Sequence, residues 1–312
     1  PGHGGYDVSA RLDDVSLKPL LHAAGRPETL LGRLTGRVEG HGRGKNLAEF
    51  VGLGEVRVSG LHLEGSERRA EVSVRGTTRK GLLFVDRLSV RSGSSDLSGR
   101  GSVALATGAI DLALRASVAR LEHDLWPHGI AGLGGRLTAA GRVSRRLQDP
   151  VFVGQVKGQN LRVGAMRLDV VEGPLEADRQ RMASRGLRTI IGSSVATLSG
   201  EARLPDLRLW PGSWRENLTL AITAQLRGRA EDLGTLLPAS WPLVGGPLSL
   251  QLSAKGSPGN LSGSGRMEMR EVRVGEDRWE FLRADLAFTG RDLTVPQLTL
   301  RRRGVTIQAE GR

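Results

Sequence analysis

The stretch GHGRGKN, from Gly40 to Asn46, comes nearest in this 312-residue chain to a phosphate-binding loop. Such a loop uses glycines to bring backbone N–H groups against phosphates, a lysine to reach the outer phosphates, and a Ser or Thr hydroxyl to hold magnesium. Its pattern needs a Gly with four residues between it and the Gly-Lys pair, but Glu39 stands at that place and Asn46 follows Lys45. Both failures remove the chemistry, and the stretch reads as a turn between strands. His123, Asp124 and His128 have the residue types of a metal site, yet Trp126-Pro127 breaks the helical register that would unite the two imidazoles. They read as a surface cluster. No serine stands at a strand-to-helix elbow, and the carboxylate pairs Asp13-Asp14 and Glu231-Asp232 fall where helices are expected to begin and acidic residues complement the dipole. Cysteine is absent, which removes disulfides, thiol nucleophiles and Cys-based metal sites. The expectation is a protein that is not an enzyme and uses no cofactor.

The composition is 38% hydrophobic and 25% charged, ordinary for a soluble chain, but only 4% aromatic and with 44 Gly. The formal net charge is +12, and 40 of the 45 basic residues are Arg. Such a balance raises nucleic acid, anionic membranes and acidic ligands as partners. Placement decides against the first. Most Arg residues stand singly between apolar ones, as in Val56-Arg57-Val58 and Leu161-Arg162-Val163, which is a solvated strand face. The one dense cluster, Arg301 to Arg303, lacks the aromatic platforms on which bases stack. No run approaches the roughly 18 apolar residues of a membrane-spanning helix. The chain opens PGHGGYDVSARL, without Met or an apolar leader, and is expected to be a section of a longer protein whose anchor lies elsewhere.

Apolar residues recur at period two nearly throughout, the mark of strands with one buried face. Ile110, Leu112, Leu114, Ala116 and Val118 alternate with Asp111, Ala113, Arg115 and Ser117, and Leu218, Leu220, Ile222, Ala224 and Leu226 do the same. Gly, Ser and Asp clusters such as RSGSSDLSGRG punctuate the runs as turns. Helical spacing appears only in Ser16–Ala24, Ala119–Trp126 and Ala230–Leu237. Each leads to a Gly-Xaa-Leu, ending at Leu34, Leu137 and Leu248. The words EVRV at Glu55, NLRV at Asn160 and EVRV at Glu271 follow 21, 23 and 23 residues later, and a turn ending at Gly99, Gly200 or Gly311 follows those by 44, 40 and 40. The rhythm predicts one elongated body, residues 1–312, of about three units, 1–118, 119–227 and 228–312, the last truncated.

Helices so short cannot cover some twenty strands, and so few aromatic residues suit neither a sandwich core nor the girdles of a transmembrane barrel. The remaining expectation is an all-β fold, a long, curled, mainly antiparallel sheet forming a half-pipe groove. The segments DVSLKPLL and AEDLGTLL leading to Gly-Xaa-Leu, the alternating runs, NLRVG and LSGEARL together resemble the AsmA/TamB family of Gram-negative envelope proteins, within the class of bridge-like lipid-transfer proteins. The resemblance covers essentially the whole chain, although the family's membrane anchor and characteristic C-terminal domain are not found in it. It implies a β-taco groove in the periplasm, tied to the inner membrane and reaching the outer one, that carries phospholipid acyl chains. Its implied partners are phospholipids, membranes through other regions, and an outer-membrane barrel protein, with no nucleic acid. The alternative is a scaffold or chaperone-like β-repeat for outer-membrane protein assembly or secretion.

The residues expected to line the groove are Val56, Val58, Val72, Val74, Val103, Leu105, Ile110, Leu112 and Leu114, then Leu161, Val163, Leu218, Leu220 and Ile222. Leu248, Leu250, Leu252, Met267, Met269, Val272, Val274, Leu298, Leu300, Val305 and Ile307 continue the set. Trp126, Trp210 and Trp241, each followed by Pro, are candidates for a gate or a junction plug.

Overall fold

In the computed structural model, described for residues 4–23, 29–43, 49–64, 66–124, 133–163, 166–203, 218–235, 244–257, 259–274, 277–290 and 292–311, the alternating runs become strands. Among the described residues strand makes up 82% and helix 6%, so their helices cannot form a covering layer. The nineteen described strands belong to one antiparallel sheet that does not close. Nearly every strand pairs with its neighbours in sequence, the pattern that short Gly and Ser turns permit.

The chain divides into two compact units, residues 1–131 with 135–154 and residues 132–134 with 155–312. The first holds β1 (Gly5–Ser16), β2 (Leu30–Arg43), β3 (Val51–Leu63), β4 (Ala70–Arg79), β5 (Leu82–Ser92), β6 (Ser95–Ala104), β7 (Ala109–Val118), most of β8 (Leu133–Arg146) and the start of β9 (Asp149–Val163). The second holds the rest of β9, then β10 (Met166–Ala177), β11 (Arg181–Ile191), β12 (Ser194–Arg203), β13 (Thr219–Arg229), β14 (Val244–Gly245), β15 (Pro247–Ser257), β16 (Asn260–Val274), β17 (Asp277–Thr289), β18 (Asp292–Arg302) and β19 (Val305–Gly311). Helical turns occur at the three expected places, as α1 (Leu17–Ala23), α2 (Leu121–Asp124) and a 3-10 helix (Ala230–Thr235). Asp13-Asp14 does not begin a helix. Both residues belong to β1, where Asp14 has φ 53° and pairs with Arg33.

Directly opposed residues of an antiparallel ladder share a face, so the register reads out what each face carries. In the first unit Leu34 opposes Val58, and the row continues through Val72, Val90, Leu97, Ala116 and Ala139. The row beside it runs Gly36, Val56, Val74, Leu88, Gly99, Leu114 and Gly141. In the second unit one row runs Thr189, Ala196, Leu226, Leu250, Met267, Ala284, Leu298 and Ala309. Register shifts at Leu12/Val15, Val58/Leu61, Val85/Leu88, Ser184/Leu187 and Asp285/Ala287 mark bulges, which bend and twist a sheet.

Among the described residues the scarce aromatics do not build a second layer. Four of the six Phe and Tyr rings lie over glycines of the apolar face, where a Cβ would collide with them: Tyr6 over Gly42, Phe50 over Gly40 and Gly52, Phe152 over Gly141 and Gly154, and Phe288 over Gly263. Each ring covers backbone that the missing side chain would otherwise leave bare. The segment Gly40–Arg43, considered above as part of a turn, thus continues β2, while 44–48 lie outside the described residues.

The backbone also corrects the repeat alignment. Asn160 and Glu271 have φ 50°, and their counterpart in the first unit is Gly60, φ 61°, not Glu55. Leu31 opposes His62 as Gly245 opposes Arg273, and Leu34 opposes Val58 as Leu248 opposes Met269. The equivalent segments are therefore Gly60-Leu61-His62-Leu63, Asn160-Leu161-Arg162-Val163 and Glu271-Val272-Arg273-Val274.

Candidate functional site, an uncovered apolar face

The second and third of the short helices are each tied to a strand hairpin by polar contacts that sequence reasoning missed. In the first unit the buried Asp124 accepts from the Ser94 hydroxyl, and Glu122 accepts from the Gly135 N–H at 3.2 Å. The buried Ser95 oxygen accepts from the Ala119 N–H at 3.2 Å. In the second unit Asp232 accepts from the hydroxyls of Ser193 at 2.7 Å and Ser194 at 2.6 Å and from the Ser193 N–H at 3.0 Å. Glu231 accepts from the Gly246 N–H at 3.4 Å, and the Ser194 oxygen from the Arg229 N–H at 3.0 Å. The Ser194 hydroxyl, and after it that of Ser193, holds the Asp232 carboxyl below the ordinary carboxylate range. The available signal is the repeated word Gly-Ser-Ser, at Gly93 and Gly192. Asp124 is thus a buried anchor, not part of a surface cluster, and no group of three metal-ligating side chains occurs among the described residues.

Beneath the 3-10 helix the apolar face of the second unit is packed. Ala196, Leu226, Ala230, Leu248, Met269 and Val272 form a buried cluster, with Leu250, Met267, Trp279 and Leu282 against it. Met269 is 2% exposed and Val272 fully buried. Away from the helix the packing opens. Along β15 the face runs from the buried Leu248 to the half-buried Leu250, Leu252 and Ala254. Farther from the junction a trough of about 190 Å³ is lined by Leu175, Met182, Leu187, Leu198, Leu220 and Ile222, among others. Its floor is the face of β11, β12 and β13.

The residues expected to line a groove accordingly separate by depth. Val56, Val58, Val72, Val74, Val103, Leu112, Leu114, Leu161, Leu218, Leu220, Ile222, Leu250, Leu252, Met267, Leu298 and Leu300 are half-buried. Ile110, Leu248, Met269 and Val272 are buried and have no surface to offer a guest. Leu105 lies in the turn after β6, out of any strand, and is exposed. Val305 and Ile307 are exposed on β19, which pairs only with β18 among the described residues. The side chains of Val163 and Val274, and the whole of Trp126, Trp210 and Trp241, lie outside the described residues.

The opposite face carries the charge. Arg266 opposes Asp285 across the ladder and pairs with it at 2.9 Å, and Arg188 opposes Glu172 and pairs at 3.0 Å. Arg142 pairs with Asp111, and Arg181 with Glu201 at 2.8 Å. The hydrogen bonds from Arg33, Arg142 and Arg181 hold the carboxyls of Asp14, Asp111 and Glu201 below their ordinary range. These pairs solvate one side of the sheet and leave the apolar side without a charged stripe. No protein-family model matches the chain, and no curated protein or solved structure is significantly similar to it.

Proposed function

We propose that this chain is a non-enzymatic section of a lipid conduit, in which acyl chains lie along the half-buried apolar face. The observation that carries the reading is the surface the protein does not cover. Among the described residues no second layer lies over the Val, Leu, Ile, Met and Ala rows of this face away from the short helices, and Leu220, Ile222, Leu250 and Leu252 stay half-buried. Each acyl methylene moved from water onto such a face gains about 0.8 kcal/mol. The charged head stays in water, so the chain is held by the trough and the head is not. Successive rows offer similar side chains, so a guest passes from one to the next without a deep minimum. The AsmA/TamB likeness supplies the setting of the proposal, a Gram-negative envelope in which the groove runs through the periplasm between two membranes. Mass spectrometry of the gently purified protein is expected to find bound phospholipid, lost when Leu220 or Leu250 is replaced by Arg. Lipid-free protein, or folded variants that hold lipid as well as the parent, would sink the proposal.

A further inference from the structure

We propose a second site, for a phosphate-bearing anion, at the junction end of the second unit. A cleft of about 740 Å³ opens there, bordered by Arg229 of β13, Arg273 of β16, Arg278 of β17, and Arg302 and Arg303 at the end of β18. Its size falls within the roughly 300–1,000 Å³ of small-molecule sites. Five guanidinium groups face two carboxylates of the lining, Glu271 and Glu280. Two of the five have partners of their own: Arg229 pairs with Glu231 at 2.9 Å and Arg302 with Asp277 at 3.0 Å. Glu280 accepts the Arg303 backbone N–H at 3.2 Å and lies 3.9 Å from Arg301. Among the described residues no carboxylate pairs with the guanidinium of Arg273, Arg278 or Arg303.

The register makes the first two of these more than a loose cluster. Arg273 and Arg278 are directly opposed across the β16–β17 ladder. Their Cβ atoms are then about 5 Å apart, and like charges so placed repel. An anion between the two converts that repulsion into two charge-assisted contacts, and the planar fork of each guanidinium matches a phosphate bidentately. The walls are fixed. Trp279 borders the cleft and packs against the buried cluster around Val272, and Gly246 borders it without a side chain. A Cβ on Gly245 would stand 3.8 Å from the Arg273 Nε.

The repeat supplies an independent observation. The position two residues after the left-handed one is Arg273 here, Arg162 in the preceding repeat and His62 in the first. Arg167 precedes Leu168-Asp169 and Arg69 precedes Ala70-Glu71, as Arg278 precedes Trp279-Glu280. A basic couple thus recurs beside each junction. This site is distinct from the acyl-binding trough, with which it shares no lining residue.

The test is calorimetric titration of the whole chain with inorganic phosphate and with glycerol 3-phosphate at fixed ionic strength. Saturable binding is expected, weakened about tenfold or more by either Arg273→Ala or Arg278→Ala. Both side chains are exposed, so each variant should melt at or above the parent temperature. Should an alanine variant fail to fold, Arg273→Lys with Arg278→Lys keeps the charge and removes the fork, and weaker binding is still expected. Flotation with phosphatidylcholine vesicles, with and without phosphatidylglycerol, separates the sources. Retention only by phosphatidylglycerol that needs both arginines assigns a lipid headgroup, and binding of the soluble phosphates alone assigns a free ligand. Leu220→Arg should leave phosphate binding intact, so the two proposals fail separately. Absence of saturable binding by the parent, or equal binding by the double alanine variant, overturns the site.

Discussion

Replacing Leu220 and Met269 separately by Arg places the same charge at two depths of one face, and the two variants should fail in opposite ways. Met269 is 2% exposed and sits among Leu248, Leu282 and Val272. A guanidinium there has neither water nor a counter-charge, so Met269→Arg should cost more than about 4 kcal/mol and unfold the second unit. Leu220 is half-buried, opposed by Ala202 and Gly256, on the wall of the trough. Full burial of a leucine is worth about 1.5–3 kcal/mol, so half of it is about 1 kcal/mol, and the arginine stem recovers a share by lying along the face. Leu220→Arg should therefore lower the melting temperature by only a few degrees. Its effect on a guest is larger. If the charged head excludes three methylenes, binding loses about 2.4 kcal/mol, roughly fiftyfold. Titration with a fluorescent fatty acid, alongside thermal unfolding followed by circular dichroism, reads both quantities. A folded Leu220→Arg variant that binds the probe like the parent would refute the acyl-binding reading. Unfolding of Leu220→Arg as severe as that of Met269→Arg would show that the face is closed core along its whole length.

The junction contacts and an unsatisfied buried hydroxyl give two more expectations. Because the folded state holds the Asp232 carboxyl below its ordinary value, its contribution is complete above the unfolded value and is lost as the pH falls through the depressed one. Asp232→Asn should cost about 2 kcal/mol at neutral pH through the weakened contacts to Ser193 and Ser194. Urea midpoints for parent and variant should then converge as the pH falls below the ordinary aspartate value; a gap independent of pH would show that the carboxylate charge contributes nothing. Thr189 is 1% exposed and its hydroxyl has no partner. Thr189→Val keeps the shape and removes that group, so it should raise stability by about 1 kcal/mol in the same urea titration. Destabilisation of that size would contradict the assignment of an unpartnered hydroxyl.

The strands themselves and the places of the helices were legible because both rest on local periodicity. Alternation at Ile110–Val118 or Leu218–Leu226 needs no tertiary context, and Leu spacing near Leu17, Leu121 and Ala230 located the helical turns. Depth was not legible. Leu248 and Leu252 occupy identical places in an alternating run, yet one is buried and the other half-buried, since parity fixes the face and only the distant helix fixes the cover. The matching words at Glu55 and Glu271 misled for a related reason. A four-residue alternation of Val and Arg arises easily in a chain with 40 Arg, whereas the true equivalence is a left-handed backbone that Gly60, Asn160 and Glu271 adopt with three different side chains. The Gly-Ser-Ser word was visible, but the carboxylate that holds it lies 30 residues on at Asp124 and about 39 at Asp232, beyond any local signal.

The difference between packed and open halves follows from element lengths. The six residues of the 3-10 helix extend about 12 Å at 2.0 Å per residue. The fifteen residues of β16 run about 50 Å. A cap of that size shields the rows nearest the junction, those of Met269 and Leu248, and cannot reach Gly263, Ala254 or Leu220. Adding repeats does not remedy the shortfall, because each brings as much new face as new cap, and four of the six Phe and Tyr rings lie over glycines within the sheet. A sequence under selection only for solubility would replace the half-buried Leu and Val of the open half with polar residues at little cost in stability. Their presence in row after row is what a guest supplied from outside would explain, and it is the reason the proposed ligand is a hydrocarbon chain and not a second protein core.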